Sequence, residues 1–186
     1  SLDMHLFSAQ KNKCWPHSSG SQVDIIACGA APIVPDIPGA EFGITSDDFF
    51  ELTNRPKKTI IVGSGYIAVE LAGILNALGS DVKLLARKNS ILRKFDQSIQ
   101  SAVIDYLIET GVEVILNTNV LAINKDNSQL LVETDKEDYS SVDALLWAVG
   151  RKPSISDLEL ERTRSEERRV GKGVDLGGRR IIKKKT

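Results

Sequence analysis

Cysteine is scarce in this sequence, and neither a long apolar run nor a recognisable leader peptide is present. Only Cys14 and Cys28 occur among 186 residues, which excludes a disulfide-stapled scaffold and favours a reducing compartment. No apolar run approaches the ~20 residues that cross a bilayer, and no basic stretch followed by apolar residues marks a secretory signal. We therefore expect a cytoplasmic location, with mitochondria as the alternative, and we expect neither a membrane partner nor a metal site.

The chain has no large excess of either charge, since its net charge is −1, but basic and acidic residues are segregated along the sequence. Residues 162–186 contain ten Lys or Arg and three acidic residues, so the remainder is acidic. Residues 164–186 lack the periodicity of a helix or strand, and we predict a non-native or disordered basic tail there. The alternative is a nucleic-acid-binding arm, but a charge run alone is weak evidence for such a partner. We expect no nucleic-acid partner.

Apolar periodicity predicts a β-α-β-α-β unit followed by antiparallel strands. The predicted elements are strands Thr59–Val62, Val82–Ala86 and Val112–Leu116, helices Tyr66–Leu78 and Ser98–Thr110, a hairpin of Val120–Lys125 with Gln129–Thr134, and a last strand Val142–Val149. The β-α-β-α-β order implies a parallel sheet with right-handed crossovers. The fold class is therefore α/β: a Rossmann-like three-layer domain with a central parallel sheet and an antiparallel hairpin or meander.

Helical spacing also predicts which side chains of the two helices face the core. For the first helix these are Ile67, Leu71, Ile74, Leu75 and Leu78, and for the second they are Ile99, Val103, Tyr106 and Leu107. Gly79 and Gly111 follow the helices at positions where glycine often ends one.

The turn between the first strand and the first helix carries two glycines, Gly63 and Gly65, in a strand–turn–helix context that is typical of dinucleotide sites. Gly63 permits a tight turn, and Gly65 leaves room for a phosphate against the backbone. Ala68 is small enough to keep helix and sheet close. The helix N-terminus offers N–H groups and a partial positive charge to a pyrophosphate. The alternative is a tight turn without a ligand.

The residues after the second strand indicate which dinucleotide binds. An NAD site usually has an acidic residue at this point to hold the ribose hydroxyls. Here Ala86 ends the strand and Arg87 follows, with Arg93 six residues later. Two guanidinium groups can pair with a 2′-phosphate, so NADPH is favoured over NADH. A solvated basic loop is the alternative.

Tyr66 and Glu70 occupy one helix face directly after the turn. Tyr66 is bulky enough to cover a flavin or nicotinamide ring. Packing or surface roles remain the alternative for both residues.

Four stretches carry a family resemblance: residues 43–50 (GITSDDFF), 62–75 (VGSGYIAVELAGIL), 92–96 (LRKFD) and 145–151 (LLWAVGR). Over roughly residues 1–160 the chain resembles the NADPH-binding domain of the flavin-dependent pyridine nucleotide–disulfide oxidoreductases, most of all their glutathione reductase branch. The resemblance implies NADPH as the cofactor here and FAD in the parent protein. It implies a cofactor site that consists of Gly63, Ser64, Gly65, Tyr66, Ile67, Glu70, Arg87, Arg93 and Gly150.

Within that site the resemblance also implies individual roles. Ser64, Ile67 and Glu70 lie along NADPH, and Arg87 and Arg93 bind its 2′-phosphate. Tyr66 resembles a gate over the flavin, with Glu70 as the acid beside it, and Gly150 lies near the cofactor.

The resemblance further implies the domain organisation. Residues 1–56 are the end of an FAD-binding domain with its linker, 57–151 are the NAD(P)H-binding domain, and 152–163 begin the return to the FAD domain. The flank contains a predicted strand at Val23–Ala27 and a helix at Asp47–Leu52 capped by Thr45 or Ser46. Cys28 stands where the family usually has threonine, which weakens the expectation of a flavin contact there.

The family's FAD fingerprint, its redox cysteine pair and its catalytic His–Glu pair are not found in this sequence. We therefore expect no catalytic residue in this fragment, and no turnover by it alone. The parent is expected to be a homodimeric reductase of glutathione disulfide that uses NADPH, FAD and a cysteine pair. The alternatives are a related thioredoxin, trypanothione or dihydrolipoamide type of disulfide reductase, or a non-catalytic NADPH-binding module.

Overall fold

A five-stranded parallel sheet forms the centre of the protein. The structure, a computed structural model, describes residues 5–7 and 24–158. The sheet has the strand order β4-β11-β5-β6-β7. Its strands are β4 (Ile44–Thr45), β5 (Lys58–Val62), β6 (Asp81–Ala86), β7 (Glu113–Leu116) and β11 (Ala144–Trp147). The parallel pairing confirms the predicted α/β class, and it brings the carboxyl ends of β11, β5 and β6 together at one edge.

Two helices, α2 (Tyr66–Ala77) and α3 (Gln97–Glu109), contribute to the apolar cluster on one face of this sheet. The buried residues of α2 are Ala68, Leu71, Ala72 and Leu75, and the fully buried residue of α3 is Leu107. The predicted inward positions were wrong for Ile74, Leu78, Ile99 and Tyr106, which are 44–63% exposed. The two buried alanines explain the error for α2, because their small side chains let the helix face that carries them pack closely against the sheet. The larger side chains of Ile74 and Leu78, on an adjacent part of the helix surface, then face outward.

An antiparallel meander of three strands supplies the core on the other face, in the order β10-β9-β8. These strands are β8 (Val120–Asp126), β9 (Gln129–Thr134) and β10 (Tyr139–Val142). The first two are the predicted hairpin. The prediction of one continuous strand over Val142–Val149 was wrong, because the chain divides into β10 and β11 on either side of Asp143.

Asp143 explains this division. Its carboxylate accepts hydrogen bonds from the backbone N–H groups of Lys57 and Lys58, both at 2.9 Å, and its own N–H donates to the Lys58 carbonyl at 2.9 Å. The side chain thus ties the junction of the two sheets to the start of β5. These backbone donors hold the pKa of the Asp143 carboxyl below its ordinary value of 3.8, with the Lys58 N–H contributing most.

The segments that precede β5 are short. They comprise β1 (His5–Phe7) and β2 (Asp24–Ile26), which pair in parallel, then β3 (Ala30–Pro32), a 3₁₀ turn at Ala40–Phe42, β4 and helix α1 (Ser46–Phe49). Strand β3 pairs antiparallel with β12 (Arg151–Pro153). Helix α1 ends earlier than predicted, and its cap is Thr45, whose side chain forms a capping box with Asp48.

The chain separates into two compact units, Ser1–Pro153 and Ser154–Thr186. Of the second unit the structure describes a 3₁₀ turn at Ser156–Leu158 and the two residues before it. The predicted basic tail, Cys14 and Val23 lie outside the described residues. The domain boundaries predicted at residues 56 and 151 remain predictions. Among the described helices, none has the length and apolar character that crossing a membrane requires.

Replacing Asp143 with asparagine is expected to weaken the dependence of stability on pH in acid. Because the folded pKa of Asp143 lies below its unfolded value, this carboxylate stabilises the fold above about pH 4, and the stabilisation is lost as pH falls through the folded pKa. Urea unfolding at intervals from pH 6 to pH 2 should therefore show a shallower loss in Asp143→Asn than in the wild type. Equal slopes in the two proteins would contradict this role for Asp143.

Candidate functional site

The turn between β5 and α2 is held between the two neighbouring strands. The Gly63 N–H donates to the Leu85 carbonyl at 2.9 Å, and the Ala148 N–H donates to the Val62 carbonyl at 2.8 Å. Gly63 has φ +155°, and a Cβ built on it would lie 2.3 Å from the Ala148 carbonyl oxygen. A side chain is therefore excluded at residue 63 by the packing of backbone against backbone.

Gly65 differs from Gly63, because it faces open space. It is the N-cap of α2 with φ −89°, and a Cβ built on it would meet nothing within 4 Å. Glycine at this position is thus not required by packing inside the protein. The empty volume over its backbone is what a phosphate group would need.

The N-terminus of α2 lacks a side-chain cap. Thr45 caps α1 and Asp96 caps α3 through their side chains, whereas Gly65 offers none. The first N–H groups of an α-helix have no partners within the helix, and they carry a partial positive charge. With Gly65 open above them, they form an arrangement suited to an anion. Ala68 is fully buried in the first turn, as expected for a residue at the helix–sheet contact.

The loop that follows β6 lies against this turn. Ile91 and Leu92 are buried, and the Leu92 N–H donates to the Ser64 carbonyl at 2.7 Å. Leu92 adopts a left-handed conformation with φ +49°, which an L-residue accepts only when its surroundings enforce it. This bond anchors the loop next to the glycine turn. Sequence analysis did not single out Leu92, although an apolar pair within a polar loop is a signal that such a loop is pinned to the core.

Arg87 and Arg93 flank this anchor, one at each side of Ile91 and Leu92. Both side chains are exposed, and neither forms a hydrogen bond or an ion pair with any residue of the described ranges 5–7 and 24–158. The strand before them ends in Ala86, which is fully buried. Two uncompensated cations therefore stand beside the glycine turn without a carboxylate at the strand end.

A cleft of about 190 Å³ lies on the other side of the turn. Its lining comprises Gly65, Tyr66 and Ile67 from the start of α2, Trp147, Ala148 and Gly150 from the end of β11, and Pro32, Ser46 and Arg151 from the flanking segments. Tyr66 is 59% exposed and borders the cleft. Gly150 has φ +145°, and its carbonyl accepts the Ile33 N–H at 2.9 Å.

The structure therefore brings most of the predicted site together around one turn. Gly63 and Ser64 form the turn, and Gly65, Tyr66, Ile67 and Gly150 line the cleft. Arg87 and Arg93 belong to the loop after β6, which is bonded to Ser64 through Leu92. Glu70 is exposed one helical turn beyond Tyr66 and is not part of the cleft lining.

Arg151 is a residue of the cleft that sequence analysis did not assign to the site. Its guanidinium donates to the Asp47 carboxylate at 2.8 Å, to the Ser46 hydroxyl at 3.1 Å and to the Ala30 carbonyl. The hydrogen bond from Arg151 is the main reason that the pKa of Asp47 is lowered from its ordinary value. No local pattern indicates this contact, because Asp47 and Arg151 are 104 residues apart.

A family model described as pyridine nucleotide–disulphide oxidoreductase matches residues 20–176. The chain belongs to this family. The match continues beyond residue 160, where the motif resemblance ended, and it includes the first part of the basic tail.

Two members of this pyridine nucleotide–disulphide oxidoreductase family are similar in sequence. The glutathione reductase of Schizosaccharomyces pombe is 44% identical over 154 residues, which cover 77% of this chain and 33% of that enzyme. The glutathione reductase of Yarrowia lipolytica is 42% identical over 140 residues, which cover 73% of this chain and 30% of that enzyme. The chain thus spans about a third of the length of the curated relatives it matches.

Three solved structures are similar to this chain in fold. The HOCl-induced flavoprotein disulfide reductase RclA of Escherichia coli matches with a TM-score of 0.69 and 33% identity, over 76% of this chain and 33% of that one. The water-forming NADH oxidase of Lactobacillus brevis bound to NADH matches with a TM-score of 0.67 and 25% identity, over 77% and 33%. A five-site mutant of that oxidase, an engineered NADPH oxidase bound to NADPH, matches with a TM-score of 0.67 and 26% identity, over 77% and 34%.

Replacing Gly63 with alanine is expected to destabilise the fold. The new methyl group would overlap the Ala148 carbonyl oxygen, and the residue would keep an unfavourable positive φ. We expect the free energy of unfolding to fall by about 2–3 kcal/mol, measured by urea denaturation. An unchanged unfolding midpoint would contradict the packing assigned to this turn.

The matched change, Gly65→Ala, is expected to spare the fold and to impair dinucleotide binding. Its Cβ meets open space, and the loss of a glycine cap is offset by reduced freedom of the unfolded chain, so stability should stay within about 1 kcal/mol. The methyl group would occupy the open volume that a phosphate needs, and the affinity for an added nicotinamide dinucleotide should fall by about tenfold or more. Tryptophan fluorescence titration measures this. Full affinity in Gly65→Ala would exclude the turn as the phosphate site.

Proposed function

We propose that this chain is the NADPH-binding module of a flavin-dependent disulfide reductase, and that it selects NADPH over NADH. The observation that carries the proposal is the pair of exposed, unpaired guanidiniums of Arg87 and Arg93 beside an uncapped helix N-terminus. In this arrangement the N-terminus of α2 and the open backbone of Gly65 hold the pyrophosphate. The two arginines hold the 2′-phosphate by charge-assisted hydrogen bonds.

The two water-forming oxidases support the choice of NADPH. The engineered NADPH oxidase carries alanine in place of glycine, alanine in place of aspartate, arginine directly after that alanine, and a second arginine six residues further on. This chain has Ala68, Ala86, Arg87 and Arg93 with the same spacing. The fifth substitution introduces serine, whereas this chain has Lys88 at the corresponding spacing. The unsubstituted oxidase, by contrast, is described as an NADH oxidase.

The parent reaction is proposed from the relatives. Glutathione reductases of two yeasts share more than 40% identity with this chain, which supports glutathione disulfide as the substrate of the longer protein. In the longer protein NADPH would supply a hydride for reduction of FAD, and a cysteine pair outside this sequence would pass the electrons to the disulfide. We place Tyr66 over the nicotinamide side of the site and Glu70 one turn behind it. We further propose that the parent is a homodimer, located in the cytoplasm or in mitochondria.

Reversing the charge at Arg87 tests the cofactor assignment. In Arg87→Glu a carboxylate would repel the 2′-phosphate, so the preference for NADPH over NADH should fall by a factor of about ten to one hundred, equivalent to about 1.5–3 kcal/mol. The measurement is the ratio of the two dissociation constants, obtained by fluorescence titration of the 186-residue chain.

The matched control for this variant is Lys94→Glu, which makes the same change of charge at an exposed position of the same loop. It should leave the ratio nearly unchanged, because the proposal assigns the 2′-phosphate to Arg87 and Arg93 and not to Lys94. A similar fall in both variants would instead indicate a general electrostatic effect. The assignment fails if the wild type binds NADH as tightly as NADPH, or if Arg87→Glu keeps the wild-type ratio.

A further inference from the structure

Arg151 joins three separate segments of the chain at one wall of the cleft. It begins β12, donates to the Ala30 carbonyl in β3, and pairs with Ser46 and Asp47 at the start of α1. The pairing of β12 with β3 sets Arg151 opposite Pro32 in register. The guanidinium of Arg151 thus connects β12 with β3 and with the short helix α1.

The same three segments form one wall of the cleft, through Pro32, Ser46 and Arg151. Residues 65–67 of the turn and α2 also line the cleft. Helix α1 has only four residues, too few to be stable without outside contacts. The capping box of Thr45 and Asp48 closes its first turn, but Arg151 supplies the hydrogen bonds that join Ser46 and Asp47 to β12. The hydrogen bonds of Arg151 therefore join the part of the cleft lining that contains Ser46 to the part that β3 and β12 form.

The order of the strands shows which part of a dinucleotide meets this cleft. Strand β6, which leads to Arg87, lies on one side of β5, and β11, which leads to Gly150, lies on the other side. With the 2′-phosphate at the arginines and the pyrophosphate at the N-terminus of α2, the nicotinamide half continues toward β11. The cleft bordered by Tyr66 is at that end.

We propose that Arg151, held by Asp47, is a positioning residue that sets the cleft for the nicotinamide half of the cofactor and leaves the adenosine half unaffected. This inference rests on the proposed NADPH site. The Arg151 and Asp47 side chains are 32% and 58% exposed, and exposed ion pairs contribute little to global stability. A variant that breaks the pair should therefore fold, and its effect should appear in binding.

The test compares two ligands that share the adenosine end. NADPH spans both halves of the site, whereas adenosine 2′,5′-bisphosphate has the 2′-phosphate but no nicotinamide. Breaking the pair with Arg151→Met should weaken NADPH binding by about three- to fivefold, with less than a twofold change for the bisphosphate. Arg151→Lys should recover part of the loss, because it keeps the charge but not the forked geometry.

Two further variants connect the effect to the pair. Asp47→Asn should weaken NADPH binding in the same direction, and the double variant should be no weaker than Arg151→Met alone, because both changes break one contact. Lys152→Met is the matched control: Lys152 is the next residue of β12, is exposed, and its side chain has no hydrogen bond or ion pair to any residue in the described part of the chain. It should bind both ligands as the wild type does.

The possible failures are distinguishable. Equal losses for the two ligands in Arg151→Met, or no loss for either, would overturn the inference while the proposed function stands. Additive losses in the double variant would overturn the pairing of Arg151 with Asp47 as the cause. A wild-type chain that binds neither ligand would remove the proposed function itself.

Discussion

The close packing of Gly63 against the Ala148 carbonyl is the constraint on which the site depends. It brings the end of β11 against the turn that follows β5, and the Gly63 N–H bond to Leu85 brings in the end of β6. Three neighbouring strand ends therefore meet at one glycine. The meeting point determines where three features lie. Helix α2 begins three residues after Gly63, the loop that carries Arg87 and Arg93 begins where β6 ends, and the cleft is lined by Ala148 itself.

Local patterns predict the parts of this arrangement that local chemistry determines. A β-branched run, two glycines and a helix predict the turn between β5 and α2, and the residues after β6 predict two cations beside it. The faces of the helices were less predictable. Apolar spacing correctly favoured Leu71 and Leu75 but also favoured Ile74 and Leu78, whereas Ala68 and Ala72 complete the buried face of α2, because close approach to the sheet selects small side chains over large apolar ones. The hydrophobicity of the side chains alone therefore does not predict which of them lie against the sheet.

Contacts between distant residues account for the remaining differences. The apolar run after Val142 is continuous in sequence, yet it divides at Asp143 because the carboxylate binds backbone donors 85 and 86 residues earlier. The contact of Arg151 with Asp47 spans 104 residues, and no periodicity marks it. In both cases a charged side chain forms hydrogen bonds with groups at the start of another element. Sequence patterns identify such residues only as polar surface positions.

The two ends of the proposed site are built in different ways, and this difference fits the function proposed for it. The adenosine end is local: Ile91 and Leu92 bury their side chains next to the glycine turn, and the arginines project from that rigid base into water, where unpaired charge costs little. The nicotinamide end is assembled from β3, α1 and β12, and an exposed ion pair between Arg151 and Asp47 joins β12 to α1. A reductase must hold its cofactor firmly while the nicotinamide enters and leaves the place beside the flavin. A rigid anchor at one end and a wall of separate segments at the other provide for both requirements within one domain.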